Sequence, residues 1–321
     1  MANSDQLITL IKSHVDGDDA RFRTLALQVA ASESRAGHTV LAKAIYDAIN
    51  TRSIRRLHPV GGALADVDNL LMRVDVDANM SDLVVNESIS LALKRIINEY
   101  EQRDKLRRYN LDNRHKVLLY GPSGTGKTMS ASVLASELGL PLFVVRLEKV
   151  ITKFMGETGL KLSKIFDFIA DVPGVYLFDE FDAIGAQRGI ENEVGEQRRI
   201  LNAFLQLMER PMADSIVVAA TNAINSIDTA LFRRFDDVLA YSLPTDEEIE
   251  RLILNATPGK NIGVSQRLLK AMKGFSHAEV CAVCVEALKN ELLYNHHVSE
   301  GSLCEIAYEK SSADKIRSVV G

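Results

Sequence analysis

The first part of the chain carries hydrophobic residues at every third or fourth position. This spacing places apolar side chains on one face of an amphipathic helix. The segments with this spacing are 4–14, 18–37 and 38–52. They predict a small all-α N-terminal domain over residues 1–56, suited to binding an adaptor or a substrate.

The periodicity changes twice after this domain. It weakens over residues 57–80, around Pro59, which we interpret as a linker that could fold onto the next domain. From residue 81 a long charged helix over 86–109 precedes short apolar runs that alternate with helical segments. These runs are 117–120, 142–147, 175–178, 216–220 and 238–243.

Apolar strands that alternate with helices predict a parallel sheet covered on both faces. The chain is therefore predicted to hold an α/β domain over residues 81–245 with a five-stranded parallel sheet. After Pro244 only helical patterns recur, so residues 246–321 are predicted to form a separate helical domain.

Composition and charge narrow the classes of partner. Acidic residues outnumber basic ones, and the net charge of −5 disfavours nucleic acid as a partner. No apolar run approaches the ~18 residues that a membrane span needs. The start of the chain lacks a basic stretch followed by an apolar one, so no signal peptide is expected. Three cysteines, with Cys281 and Cys284 interpreted as core or semi-buried residues of a helix, indicate a reducing, cytoplasmic location.

One loop has the pattern G-x-x-x-x-G-K-[ST], and it lies between a predicted strand and a predicted helix. Its residues are Gly121, Pro122, Ser123, Gly124, Thr125, Gly126, Lys127 and Thr128. Glycines let backbone N–H groups turn toward phosphate oxygens, and the start of the following helix favours an anion. Lys127 would contact the β- and γ-phosphates, and the Thr128 hydroxyl would bind Mg²⁺. The loop predicts a nucleoside triphosphate site.

Polar residues follow the later predicted strands. Asp179 and Glu180 end a buried run, where Asp179 would hold Mg²⁺ and Glu180 would orient or deprotonate the attacking water. Asn222 ends the next strand and could fix that water or contact the γ-phosphate. Arg233 and Arg234 are candidates for neutralising transition-state charge, either in cis or from a neighbouring subunit.

Across residues 81–295 the chain resembles the AAA+ ATPases, specifically the AAA clade that includes FtsH-type and katanin-like ATPase modules. The resemblance rests on GPSGTGKT, VYLFDEFDAIG, AATN, LFRRFD and GFSHAE, in that order. It implies a P-loop NTPase core with a C-terminal helical lid, and ATP and Mg²⁺ as ligands. It also implies a homo-oligomeric ring, usually a hexamer, with nucleotide bound between subunits.

The same resemblance implies roles for individual residues. Lys127 and Thr128 match the Walker A positions, Asp179 and Glu180 match Walker B, and Asn222 matches sensor 1. The adjacent arginines match the finger that acts in trans, with the choice between them open.

In the lid, Gly274 and Ala278 match the sensor 2 segment, where this clade carries small residues near the nucleotide. Met129 and the segment 83–85 are further expected nucleotide contacts, the latter toward adenine.

The segment Lys153-Phe154-Met155 resembles the first pore loop of relatives that thread proteins, where an aromatic residue grips the substrate. The resemblance therefore implies an ATP-driven motor that remodels or unfolds a polypeptide, with a protein partner or a separate protease engaged through residues 1–56. Two alternatives stay open. One is a nucleic-acid-handling ATPase, and the other is an ATP-dependent assembly switch that threads nothing.

Overall fold

The computed structural model describes residues 25, 29, 67, 69–151, 156–182, 191–212, 214–223, 232–260 and 262–320, with the backbone alone at 191–198 and 313–320. The chain divides into two compact units, Met1–Pro59 and Val60–Gly321. Apart from residues 25 and 29, the predicted N-terminal helical domain lies outside the described residues, as do Lys153, Phe154 and Met155 of the predicted pore loop.

The centre of the second unit is a six-stranded sheet. Its strands are β1 (Leu71–Val74), β2 (Lys116–Tyr120), β3 (Leu142–Val145), β4 (Val175–Phe178), β5 (Ile216–Thr221) and β6 (Asp237–Ala240). They lie in the order β1-β3-β4-β5-β2-β6. The pairs β3–β4, β4–β5, β5–β2 and β2–β6 are parallel, and only the β1–β3 pair is antiparallel. All five predicted strands are present, and the α/β class is confirmed.

The sixth strand, β1, lies within the segment interpreted as a linker. It pairs antiparallel with β3, with Leu71 opposite Val145 and Val74 opposite Leu142. Leu71 is buried, whereas Met72 and Arg73 are exposed. A short edge strand needs few buried residues, so its sequence lacks the apolar run that marks the central strands.

Six helices that the structure describes in this unit precede β6. They are α1 (Glu87–Glu101), α2 (Arg103–Arg108), α3 (Lys127–Leu138), α4 (Leu147–Val150), α5 (Glu157–Asp171) and α6 (Glu191–Leu207). The predicted single helix over 86–109 is two helices, because the backbone at Gln102 leaves helical geometry at φ −99° and ψ 14°. The second predicted strand, 142–147, ends earlier than expected, because Leu147 is already the first residue of α4.

Alternate residues of the central strands pack on opposite faces of the sheet. Leu119, Leu177 and Val218 pack with buried residues of α1 and α3. On the other face Phe178 lies with its ring centroid 5.2 Å from that of Phe204 in α6. The sheet is therefore covered by helices on both faces, as predicted.

The C-terminal part of the unit is helical. It comprises α7 (Asp246–Ala256), α8 (Gln266–Ala271), α9 (His277–Tyr294) and α10 (Glu300–Val320). Capping boxes begin α7, through Thr245 and Glu248, and α9, through Ser276 and Glu279. These helices share their own apolar core, distinct from that of the sheet. Within the part of the chain that the structure describes, no helix is long and apolar enough to cross a membrane.

Candidate nucleotide-binding site

The loop over residues 121–126 connects β2 to α3 and lies close to other parts of the chain at two of its glycines. Gly121 has φ +144°, and a Cβ atom there would lie 2.2 Å from the Tyr241 carbonyl oxygen. Gly124 has φ +71°, and a Cβ atom there would lie 2.7 Å from Ser276 Oγ. Side chains are therefore excluded at both positions, and the backbone itself forms the surface of the loop.

Lys127 is held across this loop. Its side chain is 6% exposed, and Nζ donates hydrogen bonds to the carbonyl oxygens of Gly121 at 2.8 Å and Pro122 at 2.7 Å. Burial lowers the pKa of Lys127, and the nearby carboxylates of Asp179 and Asp182 oppose that effect. The positive charge is thus fixed beside the start of α3, where a helix already favours anions.

A hydroxyl and a carboxylate lie side by side after β4. Thr128 Oγ1 donates to Asp179 Oδ2 at 2.7 Å, and the Glu180 N–H donates to Asp179 Oδ1 at 2.9 Å. Hard oxygen donors of these two kinds suit Mg²⁺, which binds through one or two protein groups and keeps water or phosphate ligands. The donor set therefore fits the metal that the sequence predicts.

Glu180 adopts a left-handed backbone conformation, with φ +51°. Such a conformation is costly for a residue with a side chain, and it persists where the surroundings hold it. Here the next residue is tied to the neighbouring strand, because the Phe181 N–H donates to the Ala220 carbonyl at 2.8 Å. The strained residue is the predicted catalytic carboxylate.

Asn222 lies in the turn after β5. The preceding residue fixes that turn, since Thr221 Oγ1 donates to Asp182 Oδ1 at 3.1 Å and accepts from the Ala223 N–H at 3.1 Å. Asn222 and the residues after β4 thus lie at neighbouring carboxyl ends of the parallel strands, where α/β proteins bind ligands.

These groups surround a cavity of about 400 Å³, within the size range of small-molecule sites. Its lining residues are Asp82, Leu83, Val84, Ser123, Gly124, Gly126, Lys127, Thr128, Met129, Asp179, Glu180, Asn222, Leu252, His277, Ala278 and Cys281. Most of the residues predicted to bind nucleotide therefore face one cavity.

Several residues that were predicted to bind nucleotide do not line this cavity. Gly121 and Pro122 contribute the carbonyls that Lys127 bonds, and Thr125 Oγ1 donates to the Pro122 carbonyl at 2.8 Å. Gly274 does not line the cavity; it has φ +90° in the turn before α9.

The lid closes one side of the cavity. The Ala278 N–H, in the first turn of α9, donates to the Gly124 carbonyl at 3.0 Å. From α7, Arg251 Nη2 donates to the Val85 carbonyl at 3.1 Å. Successive side chains of the segment 83–85 pack in different cores. Leu83 and Val85 lie in the core of the sheet, and Val84 lies in the core of the lid.

The sequence did not indicate that some of the lining residues would contact a ligand. Asp82, Leu252, His277 and Cys281 belong to no pattern that assigns them to a ligand, although His277 lies within the GFSHAE segment. Only the packing of the lid against the loop brings them to the cavity.

The two arginines lie outside this cavity, in the turn before β6. Both side chains are exposed, and Arg234 forms an ion pair with Glu209. Arg233 makes no hydrogen bond or ion pair within the described ranges. The structure does not bring either guanidinium to the nucleotide cavity of its own chain.

Comparison with known proteins gives the family. Residues 117–243 match the ATPase family associated with various cellular activities (AAA). The uncharacterized AAA family ATPase y4kL of Sinorhizobium fredii is 33% identical over 301 residues, covering 90% of this chain and 89% of that protein. This chain belongs to the AAA family. It is therefore an ATPase, and the resemblance to the AAA+ class is confirmed.

Other similarities cover less of the relatives or show the fold alone. The proteasome-activating nucleotidase of Sulfurisphaera tokodaii is 32% identical over 217 residues, and the chain spans 54% of its length. The crystal structure of the FIGL-1 AAA domain in complex with ADP covers 78% of this chain with a TM-score of 0.59 and 23% identity. This likeness supports the P-loop AAA+ fold.

Proposed function

We propose that this AAA ATPase is a protein-remodelling motor whose ATP sites are completed between the subunits of a ring. One observation carries the proposal. The cavity holds the loop, the carboxylates and Asn222, yet among the described residues no arginine lines it. Phosphoryl transfer in this class of ATPase gains much of its rate from a guanidinium that neutralises the transferred phosphoryl group. A second copy of the chain would supply it.

ATP would bind with its phosphates along the loop. The backbone N–H groups and Lys127 would contact the β- and γ-phosphates, and the apolar residues at 83–84 would flank the base. Thr128 and Asp179 would hold Mg²⁺, which would offset negative charge on the phosphates. Gly124 allows the lid to pack directly on this loop, because a Cβ atom there would collide with Ser276.

Glu180 would orient the attacking water and accept its proton, with Asn222 holding the water from the adjacent strand. Both side chains line the same cavity as Lys127, so the water would lie on the γ-phosphate side. The fixed backbone at Glu180 limits how far its carboxylate moves during turnover.

We assign the finger that reaches the neighbouring subunit to Arg233. Arg234 is engaged with Glu209 of its own chain, whereas Arg233 is exposed and unpaired in the part of the chain that is described. A guanidinium free of intramolecular partners can enter another subunit's site without first breaking an ion pair.

The remodelling activity is proposed from the relatives and the sequence. A proteasome-activating nucleotidase is among the similar proteins, and the segment Lys153–Met155 carries the apolar pattern of a gripping loop. The substrate would be a polypeptide, the assembly a hexamer, the N-terminal helices the partner-binding region and the location the cytoplasm. Each of these four statements remains a prediction.

Specific ATPase activity against protein concentration tests the shared site. Activity per subunit is expected to rise with concentration and then level off as assembly completes, while Glu180→Gln stays inactive at every concentration. The same samples are sized by light scattering. Full activity in samples that are monomeric throughout would overturn the proposal.

A further inference from the structure

His277 is the first residue of α9 and lines the nucleotide cavity. Its side chain is 7% exposed, and both Nδ1 and Nε2 lack a hydrogen-bond partner. Buried polar atoms in folded proteins are nearly always hydrogen-bonded, so two unpartnered nitrogens on one ring need a reason. Neither nitrogen is accessible to water in the empty cavity, so a ligand there becomes such a partner once the ring turns toward it.

The charged groups closest to this ring are already engaged elsewhere. Both belong to α7. Glu248 Oε2 accepts from the Thr245 N–H at 2.8 Å in the capping box, and Arg251 donates to the Val85 carbonyl. The described neighbours therefore leave the imidazole unpaired.

The position of the ring within the cavity also bears on its ligand. The lining residues from the lid and the segment ahead of α1 are largely apolar, with Val84, Leu252 and Ala278 among them. The charged residues Lys127, Asp179 and Glu180 come from the loop and the strand ends, and one further charged residue, Asp82, comes from the segment ahead of α1. His277 thus belongs to the apolar side, where a nucleoside fits better than phosphates do.

We propose that His277 hydrogen-bonds the nucleoside of the bound adenine nucleotide and contributes to its selection. A neutral imidazole offers one donor and one acceptor, and adenine and ribose carry groups of both kinds. Burial lowers the pKa of His277, with Glu248 raising it and Arg251 lowering it, so the neutral ring is favoured.

The backbone around His277 is well placed for this role. The next residue, Ala278, bonds the Gly124 carbonyl, and the capping box of Ser276 and Glu279 fixes the start of α9. The backbone of His277 is therefore held at a set distance from the loop that would bind the phosphates. A group positioned by rigid neighbours discriminates ligands better than a mobile one.

This inference rests on the ATP site proposed above, and calorimetric titration of ADP tests it without any need for turnover. His277→Ala is expected to weaken ADP binding roughly tenfold, the effect of about one buried hydrogen bond. His277→Asn and His277→Gln each place an amide near one ring nitrogen, and the variant that restores the bond is expected to recover most of the affinity. His296→Ala, an exposed histidine beyond the end of α9, is the matched control.

Inosine diphosphate, which lacks the adenine amino group, and 2′-deoxy-ADP identify the contact. The parent protein is expected to bind at least one of them more weakly than ADP, and His277→Ala is expected to lose that discrimination. ADP affinity of His277→Ala within twofold of the parent would overturn the inference. So would weaker binding with both discriminations intact, since the effect would then be indirect.

Failure of the ATP site itself would look different. If the parent binds ADP no better than Lys127→Ala does, the site proposed for the phosphates is wrong. The melting temperature of each variant without nucleotide shows whether that variant folds. If His277→Ala does not fold, the ADP affinities of His277→Asn and His277→Gln are compared with that of the parent instead.

Discussion

Replacing Gly124 by Ala separates two costs that the loop avoids, backbone strain and collision with the lid. At φ +71° an alanine pays a conformational penalty of about 1 kcal/mol. Its Cβ atom would also lie 2.7 Å from Ser276 Oγ and 3.1 Å from Ala278 Cβ. The 2.7 Å contact is too short to keep and the 3.1 Å contact is tight, so the Ser276 side chain has to turn and the start of α9 has to give way slightly.

That movement has an estimable cost. It displaces the Ser276 side chain that caps α9, worth about 1 kcal/mol, and stretches the bond from the Ala278 N–H to the Gly124 carbonyl, worth about 1 kcal/mol. Together with the strain, Gly124→Ala is expected to lower the free energy of unfolding by about 3 kcal/mol.

Gly139→Ala is the matched control. Gly139 ends α3 with φ +63°, and no atom lies within 4 Å of a Cβ built there. The Gly139→Ala variant has the same kind of backbone strain and the same reduction in unfolded-state entropy as Gly124→Ala, but its new Cβ atom collides with nothing. Urea denaturation at neutral pH is expected to give a loss about 2 kcal/mol smaller than for Gly124→Ala. Equal losses for the two variants would refute the argument from the lid contact.

Substitutions at three other positions are expected to change stability or substrate processing. Burial alone would raise the pKa of Asp214, but hydrogen bonds from Arg107 and Arg103 lower it below its ordinary value. The ionised carboxylate therefore stabilises the fold at pH values above the ordinary pKa of an aspartate, and this stabilisation is lost as the pH falls through the lowered pKa. Asp214→Asn should cost about 1 kcal/mol at pH 7, and urea denaturation should show the difference vanishing on acidification. Tyr241→Phe should cost about 1 kcal/mol in the same assay, because its buried hydroxyl donates to Ser130 Oγ at 2.6 Å; an unchanged midpoint would contradict this. Phe154→Ala should retain basal ATPase activity and lose processing of an unfolded protein, whereas retained processing would favour the assembly switch.

The sheet was predictable because its central strands are buried on both faces. Runs such as Val175–Phe178 are apolar at every position, which is typical of strands that are buried on both faces. The loop and the carboxylates were predictable for a related reason. Their chemistry requires particular residue types next to strand ends, so spacing alone brings them together.

The edge strand and the lid side of the cavity were not predictable in this way. Leu71–Val74 buries little, so its sequence resembles that of a loop. His277 looks like an ordinary first residue of a capped helix, and its isolation from hydrogen-bond partners arises only when α9 packs against the loop. Tertiary contacts decide both features, and local patterns carry no trace of them.

The proposed ATP site is shared between two copies of the chain. Mixing two inactive variants tests it most directly. Glu180→Gln keeps Arg233 but loses the carboxylate, while Arg233→Ala keeps the carboxylate but loses the proposed finger. Each alone is expected to be inactive.

In rings assembled randomly from equal amounts, about a quarter of the interfaces would join an intact Glu180 to an intact Arg233. The mixture is therefore expected to recover about a quarter of the parent ATPase activity. Differently tagged variants that co-purify establish that mixed assemblies have formed. If such assemblies hydrolyse no ATP, Arg233 of a second copy does not complete the site, and the proposal of a shared site is wrong.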